Sequence, residues 1–515
     1  MGNSARSRWM RAYAGTMQVG TKRGTNRKFI QRMIMIIMAL VFTGAVLYML
    51  WRNGSFLPGW ISWNNEMLYD RTGRYEITLR DRAVKVVYDN NVIWNSPNEV
   101  KVQQAVSHDI DHDQEDELLL LCWKRGRFGE SRPFWMDRDE KKWSQHIFIY
   151  EYGQEEIRPK WMSSYIGQDV VRMSVCDEST KEMMAGSRLM LTAPDGKVSS
   201  WIWDFWGFTK EETEVSFVVF GDNLIHEPIY RYGLQNDGNF DFLFENVGDM
   251  IEENDIAVIN QETPLTDDPS MYGDYPRFGT PAGVGRAIAD AGFGVVTCAS
   301  NHALDRGAYG VSFTKNFFDS QGIRCLGIHS EKEKEPRPCE ILTRNGIRFA
   351  LFNYTYGTNG IRAPEENPDM VQLLEDEEQI RKEIEAAGSE CDLVIVFAHW
   401  GTEYAKQPDD FQKQWTQIFL ESGVDVVVGT HPHALQPYEM LQDDSGHRML
   451  VYYSIGNFVS AQQEKSCVKG GAAQFTVSLT VDGYAVTEYG LTPLTILRQE
   501  DGRYTVQTED TVQKE

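Results

Sequence analysis

Polar residues of the types that bind metals recur at five points of the chain, each directly after a short apolar run. The apolar runs span residues 215–220, 255–259, 294–298, 393–397 and 424–428. The polar residues that follow them are, in chain order, Asp222 and His226, Glu262, Asn301, His302 and Asp305, His399, Trp400 and Glu403, and His431 and His433. Five of the ten histidines lie in these segments. Because sites in α/β sheets form at the carboxyl ends of strands, we expect these side chains to converge.

Each of these signals is weak alone, since a strand-end aspartate is more often a turn residue and a buried histidine is more often a hydrogen-bonded core group. His431 and His433 are stronger together, because residues two apart can face one side of extended or turning backbone. Carboxylate, amide carbonyl and imidazole groups suit manganese, iron or zinc. Six or seven candidate ligands are more than one tetrahedral zinc ion can bind, so they predict two ions bridged by a carboxylate. Such a pair of ions activates water and stabilises charge on a phosphoryl oxygen.

A second acidic cluster lies at residues 109–117. Its candidate ligands for calcium are Asp109, Asp111, Asp113 and Asp116. Carboxylates at alternate positions can converge on a hard cation such as calcium. The segment resembles the D-x-D-x-D loops of FG-GAP-type propeller repeats, but it lacks their usual glycine. The alternative interpretation is an acidic, solvated β-turn.

The N-terminal part of the chain has the charge pattern of a membrane anchor. Residues 1–32 contain eight Lys or Arg and no acid, and residues 33–51 carry no charge. Nineteen helical residues span roughly a bilayer core, and a basic flank stays in the cytoplasm. We therefore predict a transmembrane signal-anchor at 33–51, a cytoplasmic segment at 1–32 and extracellular domains after a linker at 52–61. A cleaved signal peptide is the alternative, but no small-x-small cleavage site follows Leu50.

Composition excludes some classes of function. The 515 residues carry a net charge of −24, which disfavours nucleic acid as a partner. The seven cysteines are scattered singly without a C-x-x-C pair, so neither a zinc finger nor a disulfide framework is predicted.

Two further domains are predicted after the linker. Residues 62–205 are mostly β and contain a weak repeat around Trp94 and Trp161, which predicts propeller-like blades. Residues 214–495 alternate apolar runs with helical stretches at 281–291, 370–387 and 410–422, which predicts a largely parallel sheet covered on both faces. Residues 496–515 are expected to form a final strand and a polar tail. The tryptophans of the β-rich domain either pack in its core or, where exposed, stack on sugars; they include Trp123, Trp135, Trp201, Trp203 and Trp206.

The ordered motifs GD, NxE, NH-x-x-D, HWG-x-E and G-x-H-x-H resemble those of the CapA or PgsA family of bacterial capsule-synthesis proteins. That family is a branch of the calcineurin-like metallophosphoesterase superfamily. The resemblance covers about residues 214–460 and includes the segment Tyr453–Phe458. It implies an α/β metallophosphoesterase-like sandwich preceded by the mostly β repeat domain and the N-terminal transmembrane helix.

The resemblance also implies roles for individual residues. Asp222 and His433 would bind the first divalent metal ion, and Glu262 would bridge to the second. The ligands of the second ion would be Asn301, His399 and His431. His302, supported by Asp305, would be the catalytic acid. Residues implied to contact substrate or support the ligands are His226, which would replace an unmatched ligand or contact substrate, Trp400, Glu403 and Arg306. Packing and loop capping are the alternative for Asp305, Trp400 and Glu403. Arg306 is one of the nearest cations for an anionic substrate, and a solvated surface position is its alternative.

Two functions follow from this resemblance. The first is a metal-dependent hydrolase that acts on a phosphoester, or on an amide or ester of a cell-wall polymer. The second is a non-catalytic, metal-containing assembly subunit that works beside membrane synthase subunits in poly-γ-glutamate synthesis or export. The acidic ectodomain does not by itself attract an anionic polymer, so either function needs metals or a local basic patch at the binding surface.

Overall fold

The computed structural model describes residues 23–128, 132, 134–153, 156–178, 186–204, 206–331, 333 and 337–508. The chain divides into two compact units. The first contains residues 1–109 and 114–171, and the second contains residues 110–113 and 172–515.

The first unit begins with helix α1 (Arg23–Arg52). Its stretch Phe29–Trp51 is long and apolar enough to cross a membrane. Large apolar side chains along it, including Phe42 at 71%, are exposed to the surroundings. The apolar N-terminal helix is thus confirmed, and its orientation remains a prediction. Most of the basic segment 1–32 lies outside the described residues.

Two four-stranded antiparallel sheets follow in the first unit. The strands of the first sheet are β1 (Glu66–Tyr69), β2 (Tyr75–Arg80), β3 (Ala83–Tyr88) and β4 (Asn91–Asn95). The strands of the second sheet are β5 (Lys101–His108), β6 (Glu117–Arg125), β7 (Trp143–Tyr152) and β8 (Ile157–Met162). Each sheet keeps its strands in chain order. One apolar core joins Ile77 and Val86 of the first sheet to Leu118, Leu120 and Phe148 of the second.

The weak sequence repeat corresponds to equivalent positions in these two sheets. Trp94 lies in β4 and Trp161 in β8, the last strand of each sheet. The serine two residues later closes the same contact in both: the Ser96 Oγ accepts from the Val84 N–H at 3.0 Å, and the Ser163 Oγ accepts from the Ile147 N–H at 2.8 Å. The repeat therefore reflects a shared hydrogen bond to the preceding strand.

The second unit begins with a third antiparallel sheet of the same size. Its strands are β9 (Arg172–Glu178), β10 (Gly186–Thr192), β11 (Val198–Asp204) and β12 (Gly207–Lys210). Their spatial order again follows the chain. The prediction of a mostly β region before the α/β domain is confirmed, while the domain bounds and a propeller arrangement remain predictions.

The remainder of the second unit alternates strands and helices. The helices are α2 (Glu227–Gln235), α3 (Gly248–Glu252), α4 (Ala282–Asp290), α5 (Gly307–Ser320), α6 (Glu377–Gly388) and α7 (Asp410–Glu421). The strands are β13 (Glu214–Asn223), β14 (Ile256–Asn260), β15 (Leu265–Thr266), β16 (Thr280–Pro281), β17 (Val295–Thr297), β18 (Arg324–Leu326), β19 (Glu340–Arg344), β20 (Ile347–Thr355), β21 (Leu393–His399), β22 (Val426–Thr430), β23 (Tyr438–Gln442), β24 (Arg448–Tyr452), β25 (Asn457–Val459), β26 (Lys469–Thr480), β27 (Gly483–Arg498) and β28 (Tyr504–Thr508).

Strands β15 and β16 pair with each other, and the other strands form two mixed sheets. One has the order β18-β17-β14-β13-β26-β27-β28, with β25 also paired to β13, and the other has the order β19-β20-β21-β22-β24-β23. The strands β13, β14, β17 and β18 run parallel, as do β20, β21, β22 and β24. The final strand expected after residue 496 is β28, and residues 509–515 lie outside the described part.

The two sheets face each other, which confirms the α/β sandwich that the family resemblance implies; the apolar runs by themselves predict only a largely parallel sheet covered on both faces. Phe217 of one sheet packs on Phe349 of the other, with ring centroids 5.1 Å apart. The opposite face of the first sheet packs on α2–α5, and that of the second packs on α6 and α7. A strand between a sheet and a helix layer is apolar on both sides, as is one between two helix layers, so the apolar runs do not distinguish the two arrangements.

Local sequence sets the ends of the helices. Asp409 and Gln412 form a reciprocal capping box at the start of α7, and Gly423, with φ 85°, follows its end. Helix α6 begins seven residues later than the predicted 370–387, because Val371 and Leu373 pair in bridges with neighbouring chain segments. Asp376 then caps α6 by accepting from the Gln379 N–H.

Candidate metal centre

The polar residues at the strand ends lie together at one edge of the two sheets. The Asp222 carboxylate at the end of β13 is 3.2 Å from Nδ1 of His433. The Glu262 Oε1 atom, just after β14, is 3.8 Å from Nε2 of His399 and 3.9 Å from Nε2 of His433. These groups, together with Asn301 and His431, are each no more than 3% exposed.

The cluster contains two sets of ligand atoms that share one carboxylate. Glu262, His399 and His431 bring one atom each within 4.8 Å of one another, and so do Asp222, Glu262 and His433. Asn301 joins the first set, since its Oδ1 atom is 2.8 Å from Nε2 of His399. This is the partition that the family resemblance implies, with Glu262 between the two positions.

The chemistry of the cluster fits divalent cations. Within the described part of the chain, neither oxygen of Glu262 nor the Nδ1 atom of His431 has a hydrogen-bond partner, although all three are buried. Burial raises the pKa of Glu262 well above its usual value; His433 opposes that shift and Asp222 adds to it. A buried, unsatisfied carboxylate is costly to the fold unless a positive charge compensates it, and a shared cation supplies that charge.

The histidines differ in charge. Burial lowers the pKa of His399 well below its usual value and that of His431 to about 3, and nearby histidines add to both shifts. Both rings are therefore neutral and keep a lone pair for a metal. Burial alone would lower the pKa of His433, but the carboxylates of Glu262 and Asp222 outweigh it and raise that pKa to about 9. This proton is the one that a bound cation would displace.

Three side chains that were not assigned a role from sequence orient the ligands. Thr430 Oγ1 is 2.9 Å from Nδ1 of His399. Asn457 Oδ1 is 2.9 Å from Nδ1 of His433, and its amide nitrogen donates elsewhere. Asn260 donates to the Asp222 carboxylate at 2.7 Å. These partners turn the Nε2 atoms of His399 and His433 toward Glu262.

A signal for these three residues was present in the sequence. Each lies inside a motif already singled out, at the first position of Asn260-Gln261-Glu262, beside His431, and in the Tyr453–Phe458 segment. Their role was missed because nothing in the sequence spacing distinguishes an amide or hydroxyl that orients a ligand from one that does not.

The backbone that carries the two last ligands is strained. His431 and His433 adopt φ values of 94° and 56°, in the left-handed region that residues other than glycine rarely enter. The His431 N–H donates to the Asp222 carboxylate at 3.2 Å. Strain of this kind collects at functional sites, where the surrounding structure holds it.

His302 and Asp305 form a hydrogen-bonded pair beside the ligands. The Nδ1 atom of His302 is 2.7 Å from Asp305 Oδ2. The same oxygen accepts from the Phe278 N–H at 2.7 Å, and the Phe278 ring packs edge-on against His302, with centroids 4.7 Å apart. The carboxylate and the ring together fix the orientation of the imidazole.

Two of the predicted supporting residues, His226 and Trp400, make contacts beside the ligand sets; the His226 ring packs edge-on against Phe278, with centroids 5.3 Å apart. His226 Nδ1 accepts from the Ala461 N–H at 3.2 Å, and His226 belongs to neither set. Trp400 is fully buried, and its indole N–H donates to the Tyr453 carbonyl at 3.0 Å. The position of Trp400 agrees with the packing alternative.

The other two occupy the surroundings of the site. Arg306 donates to the backbone carbonyls of Met271, Asp305 and Arg277, so its guanidinium holds the 271–279 loop. Glu403 is exposed. Burial and the charge of Glu403 raise the pKa of Tyr356 to about 12, which places Glu403 near the ring that packs on His431.

The second acidic cluster contains its own counter-charge. In the first unit, Arg71 Nε is 2.7 Å from Asp116 Oδ1, and its guanidinium also pairs with Asp109 at 2.5 Å. Asp111 and Asp113 belong to the second unit. Two of the four predicted calcium ligands are thus neutralised by an arginine, and calcium binding remains a prediction.

Residues 216–462 match the family model "Bacterial capsule synthesis protein PGA_cap". The chain is 28% identical over 264 residues to the capsule biosynthesis protein CapA of Bacillus anthracis, a match that covers 49% of this chain and 61% of that protein. It is 28% identical over 225 residues to the PGA biosynthesis protein CapA of Bacillus subtilis (strain 168), covering 43% and 57%. The chain therefore spans about three-fifths of the length of these relatives.

Solved structures of the calcineurin-like class also resemble the chain. The calcineurin-like phosphoesterase YfkN from Bacillus subtilis matches with a TM-score of 0.33 and 14% sequence identity, covering 55% of this chain and 90% of that one.

Proposed function

We propose, from the match of residues 216–462 to the bacterial capsule synthesis family, that the chain is a membrane-anchored, metal-dependent hydrolase of capsule or cell-wall polymer biosynthesis. The observation that carries this proposal is the buried Glu262, whose two unsatisfied oxygens lie between two sets of imidazole and carboxylate ligands. Such an arrangement suits two divalent ions bridged by a carboxylate.

The residues divide between binding and proton transfer. Asp222 and His433 would hold one ion, and Asn301, His399 and His431 the other, with Glu262 between them. Two bound ions supply an activated water and stabilise negative charge on a phosphoryl or carbonyl oxygen. His302, oriented by Asp305, holds a proton at Nε2 for the leaving group. The metals are manganese, iron or zinc by the chemistry of this ligand set.

The membrane side of the proposal rests on helix α1. Its apolar stretch Phe29–Trp51 would span the bilayer, with the basic residues before it in the cytoplasm and the two units outside. An anionic polymer or a phosphoester would be the substrate, and capsule synthase membrane subunits would be the partners. The names of the Bacillus relatives, which state capsule and PGA biosynthesis, support the link to polymer synthesis.

The test measures metal content and turnover in the same preparations. We expect the full-length protein in detergent to retain two divalent ions and to hydrolyse an aryl phosphodiester with manganese. His431→Ala should lose metal and activity together. His302→Ala should keep its metal and lose about 10²- to 10⁴-fold in turnover.

The matched control is His329→Ala, a buried histidine of the same unit outside both ligand sets. It should behave like the wild type. Equal turnover in the wild type and in both site variants would overturn the hydrolase. Metal retention without turnover of phosphoesters, esters or amides would favour the assembly-subunit alternative.

A further inference from the structure

The loop between β6 and β7 combines strong apolar exposure with contact to the end of the apolar helix. This loop, residues 126–142, carries Phe134 and Trp135, which are 94% and 70% exposed. Their rings pack edge to face, with centroids 4.9 Å apart. Water does not favour such exposure of two neighbouring large aromatic side chains, so the pair indicates a surface that is covered in the working protein.

Both ends of the 126–142 loop touch the end of α1. Trp143, which follows the loop, donates its indole N–H to the Trp51 carbonyl at 2.9 Å. Arg125, which precedes it, places its guanidinium carbon 5.1 Å from the centre of the Trp51 ring. Trp51 is the last residue of the stretch that would cross the membrane. The loop therefore starts and ends where the chain would leave the bilayer.

Hydrogen bonds at the base fix how the loop leaves the sheet. The Gly126 N–H donates to the Lys142 carbonyl at 3.0 Å. The Asp139 Oδ1 atom accepts from the Arg127 N–H at 2.7 Å. Since an extended chain advances about 3.3 Å per residue, Phe134 lies within about 30 Å of the end of α1.

We propose that the 126–142 loop inserts Phe134 and Trp135 into the interfacial layer of the membrane that α1 spans, on the side where the two units lie. This inference rests on the proposed anchoring by α1. Tryptophan is favoured at the boundary between headgroups and acyl chains, where its ring is apolar and its N–H remains solvated. The loop contains five basic and four acidic residues, whereas the whole chain has a net charge of −24. Anionic lipid therefore repels this loop less than it repels the acidic remainder of the chain.

The loop thus gives the first unit a second point of attachment. One helix leaves a domain free to rotate and tilt on the bilayer, whereas a helix and an inserted aromatic pair restrict both motions.

The experiment places a dansyl-type fluorescent amino acid at position 135 of the full-length protein. The matched control carries it at position 206, where Trp206 is 90% exposed in the second unit. Each protein is reconstituted in vesicles of phosphatidylglycerol and phosphatidylcholine, with or without bromine on the acyl chains. We expect blue-shifted emission at position 135 that bromine quenches several-fold more than at position 206.

Two results would overturn the inference. Equal quenching at both positions would remove the specific role of the loop, and a blue shift without quenching would assign the pair to a protein surface. Alkaline carbonate extraction of the same vesicles separates this failure from that of the anchor. Release of the protein by carbonate refutes anchoring by α1, whereas retention with an unquenched probe at position 135 refutes the loop insertion alone.

Discussion

The two acidic clusters of this protein resolve the same electrostatic problem in different ways. At the strand ends, Glu262 is buried without a hydrogen-bond partner in the described residues, and its neighbours are imidazoles and a second carboxylate. In the acidic loop, Asp109 and Asp116 share the guanidinium of Arg71. In the described residues, the groups that pair with Glu262 are histidines, whereas an arginine pairs with Asp109 and Asp116. The comparison separates a cluster that would need a bound cation for its counter-charge from one in which the protein supplies counter-charge to two of the carboxylates.

The largest expected effect comes from removing the shared carboxylate. Glu262→Gln should prevent retention of both ions and reduce phosphodiester turnover by at least about a hundredfold, since even partners outside the ligand shell contribute on that scale. Metal analysis and kinetics on the same samples check this. Glu385→Gln, the same change on an exposed helix position, is the control and should be silent. Retention of two ions by Glu262→Gln would show that the Glu262 carboxylate is not the shared ligand, and the contrast between the two clusters would fail.

A smaller effect is expected from the carboxylate that orients the proton donor. Asp305→Asn weakens the fixed orientation of His302 while leaving both ligand sets intact. We expect turnover to fall about ten- to a hundredfold with unchanged metal content. Loss of metal in this variant would show that Asp305 supports the ligands, and not the acid.

Asp425 lies between these two extremes, because the group that stabilises its carboxylate is a backbone N–H and not a charged side chain. It accepts from the Val394 N–H at 2.8 Å, and burial raises its pKa to about 6, with that hydrogen bond and His447 opposing the shift. A carboxyl with a raised folded-state pKa contributes stability below about pH 4 that is lost as the pH rises through 6. Asp425→Asn should therefore be more stable than the wild type at pH 7 by at most about 3 kcal/mol. Denaturant unfolding of both proteins at pH 4 and pH 7 measures it, and a pH-independent difference would contradict the assignment.

The smallest expected effect concerns the acidic loop. Calcium should leave the melting temperature of the wild type unchanged while Arg71 holds Asp109 and Asp116. Arg71→Met removes that charge, so we expect a lower melting temperature that calcium partly restores, measured by scanning fluorimetry. A calcium-dependent increase in the wild type would instead confirm the loop as a calcium site and remove the contrast.

The sequence predicted the strands and the convergence of the polar residues that follow them. The apolar runs at 215–220 and 393–397 became β13 and β21, and the ligand residues after them converged because parallel strands end at one edge. The partition around Glu262 came from the family resemblance, since no spacing in the chain distinguishes one ion from the other.

The misses have physical causes too. The facing sheets followed from the family resemblance and not from the apolar pattern, because Phe217 and Phe349 are equally apolar whether they meet a helix or a sheet. The partners of Arg71 and Arg306 lie far away in sequence, so the carboxylate and the backbone carbonyls that these two arginines contact could not be predicted. The early start given to α6 came from counting apolar residues that in fact form bridges.

The sharing of Asp305 has a consequence for how relatives of this protein diverge. One oxygen accepts from both His302 and the backbone of Phe278, and Arg306 ties the same segment at Met271 and Arg277. The tip of that segment is open to solvent, with Tyr275 77% exposed. On the proposed function, a substitution there would reach the His302 imidazole through two hydrogen bonds and leave the proposed cation ligands unchanged, so the preference for the leaving group would change separately from metal binding.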